Sequence, residues 1–189
     1  MPVHTIILCS NSPRRRELLS GLGLRFEVRT MQGVDESYPS SLKKEDVPLY
    51  VACKKMEAYL PQAKDDELLL TADTIVLIDD AILGKPSDRE QAVEMLRLLS
   101  GRTHSVITGV CIACSSKATS FSVASKVSFA NIKEEDIEYY VDNYHPYDKA
   151  GAYGIQEWIG YVAVEGIEGS FYNVMGLPVQ RLYKELSTF

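Results

Sequence analysis

Basic and hydroxyl side chains crowd the point where a short apolar segment meets the start of a predicted helix. Residues 6–8 are typical of a buried strand, Ser12 suits an N-cap, and Pro13 suits the first helical position. The first turn of a helix favours acidic residues, yet Arg14 and Arg15 lie there, followed by a third arginine. Exposed backbone N–H groups, serine hydroxyls and guanidinium groups at such a junction can hold a polyanion such as a phosphate chain. The arginines alone would indicate a solvated basic turn, but the strand and the cap favour the anion site.

Carboxylates at two further places could bind a cation or activate a water molecule. Asp73 interrupts the apolar strand segment 68–77, where a buried carboxylate must be paired, hydrogen-bonded or bound to a cation. It is either a metal ligand or general base on a rigid strand, or a strand-end carboxylate that caps a neighbouring loop. Asp35 and Glu36 lie in a loop after a strand, where most such pairs are merely solvated.

Two lysines and an amide add groups that could contact an anionic nucleotide. Lys55 lies nearer the edge of the apolar stripe of its predicted helix than Lys54 does, so it is the better candidate to reach a cleft. Lys85 follows a short strand and, by itself, indicates a surface lysine. Gln156 ends the glycine-containing segment 147–156, and its amide can both donate to and accept from the edge of a base. The alternatives here are a plain glycine-rich turn and a surface amide.

Several familiar catalytic motifs are absent from the 189 residues. The chain has no P-loop, no dinucleotide-binding glycine fingerprint, no zinc-protease motif and no nucleophile elbow. ATP-driven work, hydride transfer and serine hydrolysis are therefore disfavoured. Cations for phosphates, together with carboxylates for a divalent metal and a water, are the equipment of metal-assisted phosphoanhydride hydrolysis.

Composition places these groups in an acidic chain with 46% hydrophobic residues, enough to bury one core or two lobes that share a cleft. The net charge of −6 argues against a nucleic-acid partner and favours a small anionic ligand at the basic junction. No apolar run is long enough for a membrane span, and residues 1–4 lack the features of a signal peptide, so we expect a cytoplasmic protein with no membrane partner. Cys111 and Cys114 spell C-x-x-C within a strand-like run, where their side chains point to opposite faces, and we expect no metal or redox role.

Interleaved strands and helices must position these groups. The helices expected after the first are 44–60, one between a capping box that begins at Ser87 and a stop at Gly101, 134–141 and 178–186. The strands expected are 6–8, 24–28, 67–78, 81–83, 104–113, 120–129, 152–155 and 161–164. Short turns join several neighbouring strands, which favours a mixed sheet over a purely parallel one. We predict one α/β domain over residues 1–189.

Motifs along the whole chain resemble those of the Maf proteins, nucleoside triphosphate pyrophosphatases related to septum-formation inhibitors. The opening motif is S-x-S-P-R-R-x-E-L-L over residues 10–19. The other matches follow in family order: Asp35-Glu36, Lys55, Ala72-Asp73-Thr74, Gly84-Lys85-Pro86, residues 99–104, residues 148–156 and residues 168–178. Their order and coverage make the resemblance specific.

The resemblance implies hydrolysis of a nucleoside triphosphate to the monophosphate and pyrophosphate with a divalent metal cation, Mg²⁺ or Mn²⁺. It implies an elongated, two-lobed α/β fold of the Maf/ITPase-like type, with a mixed sheet and one central active-site cleft, and members that are often homodimers. The Gly-Ile-Gln ending of the 148–156 motif is similar to the branch that acts on dTTP and UTP, a house-cleaning activity that extends to modified pyrimidine nucleotides, and not to the 7-methyl-GTP branch.

The resemblance also implies roles for single residues. Asp73 corresponds to the proton acceptor, and together with Glu36 it is expected to hold the metal. Arg14, Thr74 and Gln156 correspond to specificity positions. The residues expected to bind the substrate are Ser10, Arg14, Arg15, Lys55, Thr74, Lys85 and Gln156.

Two points bear on this interpretation. Glu157, followed by Trp158, occupies a position where relatives commonly have glycine, which bears directly on the base preference. The alternative function is a nucleotide-binding regulator of cell division that acts through a protein partner. Retention of Asp73 together with Glu36 favours the enzyme, because a binding protein needs cations but no base.

Overall fold

A computed structural model describes residues 5–189; residues 1–4, on which the expectation of no signal peptide partly rests, lie outside the described residues. The helices are α1 (Pro13–Gly21), α2 (Val47–Tyr59), α3 (Arg89–Leu99), α4 (Glu134–Tyr144), α5 (Trp158–Ala163), α6 (Phe171–Val174) and α7 (Val179–Leu186). The strands are β1 (Thr5–Leu8), β2 (Phe26–Val28), β3 (Glu67–Ile78), β4 (Ala81–Leu83), β5 (Thr103–Ala113), β6 (Ala118–Phe129) and β7 (Val164–Glu168). Short 3-10 segments adjoin them at Lys44–Asp46, Leu60–Gln62, Pro146–Asp148 and Ala150–Ala152.

Seven strands form one mixed sheet within the described residues. Its order is β2-β1-β3-β5-β6-β7, and β4 pairs with β3 outside this path. β1 runs parallel to β2 and β3, with Ile7 opposite Glu27 and Leu69, whereas β4 and β7 run antiparallel to their neighbours β3 and β6. The connection through Asp79 and Asp80 is too short for a parallel crossover, so β4 must return antiparallel. The prediction of an α/β fold with a mixed sheet is confirmed.

The chain divides into two compact units. The first unit contains the described chain up to Asp73, Thr108–Val123 and Gly176–Phe189. The second unit contains Thr74–Ile107 and Ala124–Met175. The single domain with one central cleft stays a prediction.

Each unit buries its own apolar side chains. In the first unit, Ile7, Met56 and Leu69 from β1, α2 and β3 belong to one buried cluster. In the second unit, α3 and α4 pack together, and Leu96 and Tyr140 of these helices are completely buried. The 3.6-residue spacing of apolar residues therefore correctly predicts which helix faces are turned inward.

α2 is the longest helix of residues 5–189, and it carries Lys55. Its buried residues include Ala52, Met56 and Tyr59, and the half-buried Lys55 lies at the edge of this face, as the sequence predicts. With 13 residues α2 is shorter than the roughly 20 that a membrane span needs. Across residues 5–189, no helix is both long and apolar enough to cross a membrane.

The two strands predicted at 152–155 and 161–164 are wrong. The chain instead forms a 3-10 segment at Ala150–Ala152 and then α5, and strand β7 begins only at Val164. The reason lies in Gly151, whose φ of +69° is in the left-handed region and interrupts an extended backbone.

α3 begins one residue later than its capping pattern predicts. Asp88, not Ser87, is the N-cap, and its carboxylate accepts from the N–H of Gln91 at 2.8 Å. The side chain of Gln91 in turn accepts from the N–H of Ser87 at 2.7 Å. The reciprocal bonds of a capping box therefore form, but around an aspartate that caps as well as serine does.

Candidate functional site

The junction between β1 and α1 has the predicted cap. Pro13 occupies the first helical position, and the hydroxyl of Ser12 accepts from the N–H of Arg15 at 3.4 Å. The hydroxyl of Ser10 accepts from the N–H of Ser12 at 3.2 Å. The expectation of exposed backbone N–H groups is therefore wrong for Ser12 and Arg15, because serine hydroxyls already accept from them. The junction offers an anion its side chains instead.

Arg15 connects α1 to two other segments of the first unit. Its Nη1 donates to the carbonyl of Ala72 at 2.8 Å, and its Nε donates to the carbonyl of Gly176 at 2.9 Å. A longer contact of 3.4 Å joins Nη1 to the hydroxyl of Ser10. The side chain is half-buried, so it is not the freely solvated surface arginine that the alternative interpretation assumed.

The electrostatics of Arg15 link it to other predicted site residues. Burial is the largest influence and lowers the pKa of its guanidinium, and the Asp73 carboxylate opposes that shift. The neighbouring cation Arg14 lowers the pKa further, and Glu36 raises it. Since arginine starts from a pKa of about 12.5 or above, Arg15 remains a cation at neutral pH.

Lys55 joins the two carboxylates that were predicted to hold a metal. Its Nζ lies 2.8 Å from Oδ1 of Asp73 and 2.9 Å from Oε1 of Glu36. The side chains of Lys55 and Asp73 are 14% and 17% exposed, whereas Glu36 is 60% exposed. The structure therefore brings together three residues that the sequence could only nominate one by one.

Contacts between α2 and the sheet hold Lys55 in reach of Asp73. The hydroxyl of Thr71, in β3, donates to the carbonyl of Ala52, in α2, at 2.7 Å. Gly109 of β5 has no room for a side chain, because a Cβ there would lie 2.3 Å from the backbone nitrogen of Leu49. The backbones of helix and strand thus approach closely, which fixes the helix that carries Lys55.

A lysine that sequence reasoning set aside holds the loop around Glu36. Nζ of Lys54 donates to Oδ2 of Asp35 at 2.5 Å and to the carbonyl of Ser37 at 2.8 Å. The hydrogen bond from Lys54, aided by bonds from Ser37, lowers the pKa of Asp35 to about 2. Lys54 therefore grips the residues on both sides of Glu36, and Asp35 is not merely solvated. An acidic pair in a loop is too weak a signal to reveal this.

The donor set around Asp73 and Glu36 fits a divalent cation with oxygen ligands. Mg²⁺ in phosphate-processing sites uses one or two carboxylates and takes its other ligands from water and substrate phosphates. Two carboxylates that both approach one ammonium group can also approach a bound cation. Residues 5–189 hold no group of three or more His, Cys, Asp or Glu side chains that could bind a metal by themselves.

Three predicted site residues belong to the second unit. Thr74 directly follows Asp73 in β3 and is half-buried, Lys85 is exposed beyond β4, and Gln156 is half-buried in the segment before α5. The Oε1 atom of Gln156 is buried and has no hydrogen-bond partner among the described residues. It is thus an acceptor that a ligand donor could satisfy.

Gly151 ties together the segments that carry these three residues. Its N–H donates to the carbonyl of Gly84, next to Lys85, at 3.0 Å. A Cβ at Gly151 would lie 2.9 Å from Cγ2 of Val76, two residues beyond Thr74. A close backbone approach that only glycine permits therefore connects β3, the loop after β4 and the loop before α5.

Comparison with known proteins gives consistent matches over the whole described chain. The family profile described as "Maf-like protein" matches residues 5–189. A protein of Parabacteroides distasonis named "dTTP/UTP pyrophosphatase" is 60% identical, over 98% of this chain and 96% of its own. Proteins of the same name from Porphyromonas gingivalis and Phocaeicola vulgatus are 58% and 56% identical, over 98% and 97% of this chain and 94% and 95% of theirs. The solved structure of the Staphylococcus aureus Ham1 protein has a similar fold, with a TM-score of 0.55 at 13% identity over 96% of this chain and 98% of that one.

Proposed function

The chain belongs to the Maf-like protein family, and we propose that it hydrolyses dTTP and UTP to the nucleoside monophosphates and pyrophosphate. Three relatives that are 56%, 58% and 60% identical over nearly their whole length bear the name of this activity. An enzyme of this kind is a nucleoside triphosphate diphosphatase, and its role would be to clear surplus or modified pyrimidine nucleotides.

The observation that carries the proposal is the convergence of two carboxylates on one ammonium group. Nζ of Lys55 contacts Asp73 at 2.8 Å and Glu36 at 2.9 Å, and both carboxylates influence the guanidinium of Arg15. Hydrolysis of a phosphoanhydride needs a base for the attacking water and positive charge for the phosphate oxygens. These four side chains supply both requirements within one unit.

We assign the role of general base to Asp73. A water oxygen forms a bond to the α-phosphorus, the bond to the oxygen that bridges the α- and β-phosphorus atoms breaks, and pyrophosphate leaves. The proton of the water passes to the Asp73 carboxylate, which the regular backbone of β3 holds in place. Arg14, Arg15, Lys55 and Lys85, with the hydroxyl of Ser10, are proposed to bind the phosphate chain.

A divalent metal cation, Mg²⁺ or Mn²⁺, is the proposed cofactor, and Glu36 and Asp73 are its proposed protein ligands. When bound, it supplies positive charge that neutralises and polarises the triphosphate. Lys55 orients both carboxylates through its ion pairs, and Lys54 restrains the loop that carries Glu36.

Gln156 and Thr74 are proposed to read the base. Thymine and uracil present an acceptor at O4 next to a donor at N3, whereas cytosine presents a donor next to an acceptor. A site built around hydrogen bonds rejects an analogue that leaves its groups unpaired. The buried Oε1 of Gln156 supports this assignment, because the N3–H of thymine or uracil is a suitable donor for it.

The first test concerns the bond that is cleaved. Incubation with dTTP and Mg²⁺ should release dTMP and pyrophosphate in equal amounts as the first products, and removal of the metal with EDTA should stop the reaction. The products can be separated by ion-exchange chromatography, with a pyrophosphate-specific assay as a second readout. Orthophosphate and dTDP as first products would contradict the proposal.

The second test concerns the base. We expect kcat/KM for dTTP and UTP to exceed the values for CTP and the purine triphosphates, and Gln156→Ala to flatten that preference by about tenfold, the effect of one lost hydrogen bond of this kind. Gln180→Ala, at an exposed glutamine in α7, is the matched control and should keep the wild-type preference. A wild-type preference for 7-methyl-GTP would show that the branch assignment is wrong.

The proposal extends to the setting of the enzyme. We place it in the cytoplasm, acting on free nucleotides without a nucleic-acid or membrane partner, and we expect a homodimer as in many relatives of the family it resembles. The net charge of −6 supports the absence of a nucleic-acid partner. The names of the relatives favour the enzyme over a binding regulator of cell division.

A further inference from the structure

A tight turn carries Gln156. The N–H of Glu157 donates to the carbonyl of Gly154 at 2.9 Å, which closes a four-residue turn with Ile155 and Gln156 at its centre. The direction of the Gln156 side chain, and with it the position of the buried Oε1 atom, therefore depends on how firmly the two ends of this turn are held.

One hydroxyl group contacts both ends of the turn. Oη of Tyr140, in α4, accepts from the N–H of Gly154 at 3.0 Å and donates to Oε2 of Glu157. Tyr140 is completely buried, and burial together with the hydrogen bond to Glu157 raises the pKa of its hydroxyl, so the group stays protonated and remains a donor. The turn is thereby attached to the helix that forms part of the core of the second unit.

The carboxylate of Glu157 also has a cationic partner. Nζ of Lys149 lies 3.1 Å from Oε1 of Glu157 and 2.7 Å from Oδ1 of Asp148. The side chains of Lys149 and Glu157 are only 9% and 22% exposed. Charges so far removed from water need fixed partners, and removal of one partner is costly because it leaves the other unpaired. The Glu157 side chain is therefore held at both of its oxygen atoms.

Packing leaves the turn no room to shift. A Cβ at Gly154 would lie 2.8 Å from Cδ of Glu157 and 3.0 Å from Cε of Lys149. A Cβ at Gly160 would lie 1.8 Å from the carbonyl oxygen of Ile155. Two glycines thus let side chains and a helix close tightly on the turn from different directions.

We propose that Glu157 is a positioning residue for base recognition: by fixing the turn through Tyr140 and Lys149, it presents Oε1 of Gln156 to the N3–H of thymine or uracil. This inference rests on the proposed function. A glycine at position 157, as is common in the family that the sequence resembles, could make neither side-chain contact. The neighbouring Trp158 packs edge-on against Tyr139, with ring centroids 4.9 Å apart, so both bulky residues are accommodated within the second unit.

The experiment compares Glu157→Ala with Glu157→Gln and with Tyr140→Phe. In Glu157→Ala we expect the KM for dTTP to rise about tenfold, the preference for dTTP over CTP to fall about tenfold, and kcat to change less than about threefold. Glu157→Gln can still accept from the Tyr140 hydroxyl and should keep most of the preference. Tyr140→Phe removes the bonds to both ends of the turn and should lose it. Glu168→Ala, at an exposed glutamate of β7, is the matched control.

Amide hydrogen exchange supplies a readout that does not depend on catalysis. Exchange at the N–H groups of Gly154 and Glu157 should be faster in Glu157→Ala and in Tyr140→Phe than in the unmodified protein, and unchanged in the Glu168→Ala control. A folded Glu157→Ala variant with unaltered exchange and an unaltered preference for dTTP would overturn the inference. If that variant does not fold, Tyr140→Phe decides in the same way.

The two proposals can fail separately. If the unmodified protein hydrolyses neither dTTP nor UTP, the proposed function is wrong, and a role in base recognition is wrong with it, whatever the exchange data show. If the unmodified protein prefers dTTP and UTP but both variants keep that preference, the function stands and the role of Glu157 is overturned.

Discussion

Replacement of Asp73 by Asn is expected to lower the turnover of dTTP and UTP by about 10²- to 10⁴-fold, the range typical of a lost general base. Asparagine keeps the size of the side chain and can still accept a hydrogen bond from Lys55, but it cannot take the proton of the attacking water. Lys55 also retains its ion pair with Glu36. The loss should therefore appear in kcat measured with saturating dTTP and Mg²⁺, with little change in the melting temperature.

Asp65→Asn is the matched control for this change, since Asp65 is an exposed aspartate just before the same strand, β3. It should retain wild-type turnover. A product assay sensitive to about one turnover in 10⁴ of the wild-type rate is needed to measure the full expected range. Near-normal turnover in Asp73→Asn would remove Asp73 from the mechanism and return it to a purely structural role as the partner of Lys55.

Replacement of Arg15 by Ala is expected to lower kcat/KM for dTTP by about 10- to 100-fold, because a charge-assisted hydrogen bond to a phosphate oxygen is worth about 1.5–3 kcal/mol. The same change removes the donors to the carbonyls of Ala72 and Gly176. Ala72 directly precedes Asp73, so the loss also loosens the strand at the proposed base. Arg15→Lys should restore little, since an ammonium group cannot serve two separate carbonyls as a guanidinium fork does.

Arg16→Ala tests whether the effect is specific to this position, because Arg16 is the exposed next residue of the same helix. It should leave kcat/KM within about twofold, as expected of a surface substitution. Thermal unfolding of both variants separates lost stability from lost catalysis. If Arg15→Ala has wild-type kinetics, the phosphate-binding role is wrong and the side chain serves only to connect α1 with its neighbours.

Local patterns in the sequence were sufficient for much of the secondary structure. β3 and β4 have the predicted bounds, and Ser12 caps α1 as predicted, because apolar periodicity and capping act over a few residues. The prediction is wrong where a longer-range contact decides the backbone. The strand predicted at 152–155 gives way to a 3-10 segment and a turn, since Gly151 lies against β3 and the hydroxyl of Tyr140 holds Gly154.

The choice of residue types was also readable from the sequence alone. A carboxylate within an apolar strand and arginines in the first turn of a helix conflict with local preferences, and such conflicts mark functional positions. Seen in isolation, however, Lys85 and Asp35 look like ordinary surface residues. The resemblance along the chain, rather than any single pattern, pointed to a nucleotide as the ligand.

By itself, then, the sequence determined the mixed α/β class, the family and the set of candidate residues, because each of these depends on residue type and on order along the chain. Only the tertiary structure decided which candidates meet. Lys55 reaches Asp73 across 18 residues, and Arg15 reaches Gly176 across 161 residues. The roles of Lys54 and Glu157 were likewise invisible in the sequence. Such contacts depend on how helices and strands pack, and no periodicity within one segment encodes the distance from its side chains to those of another.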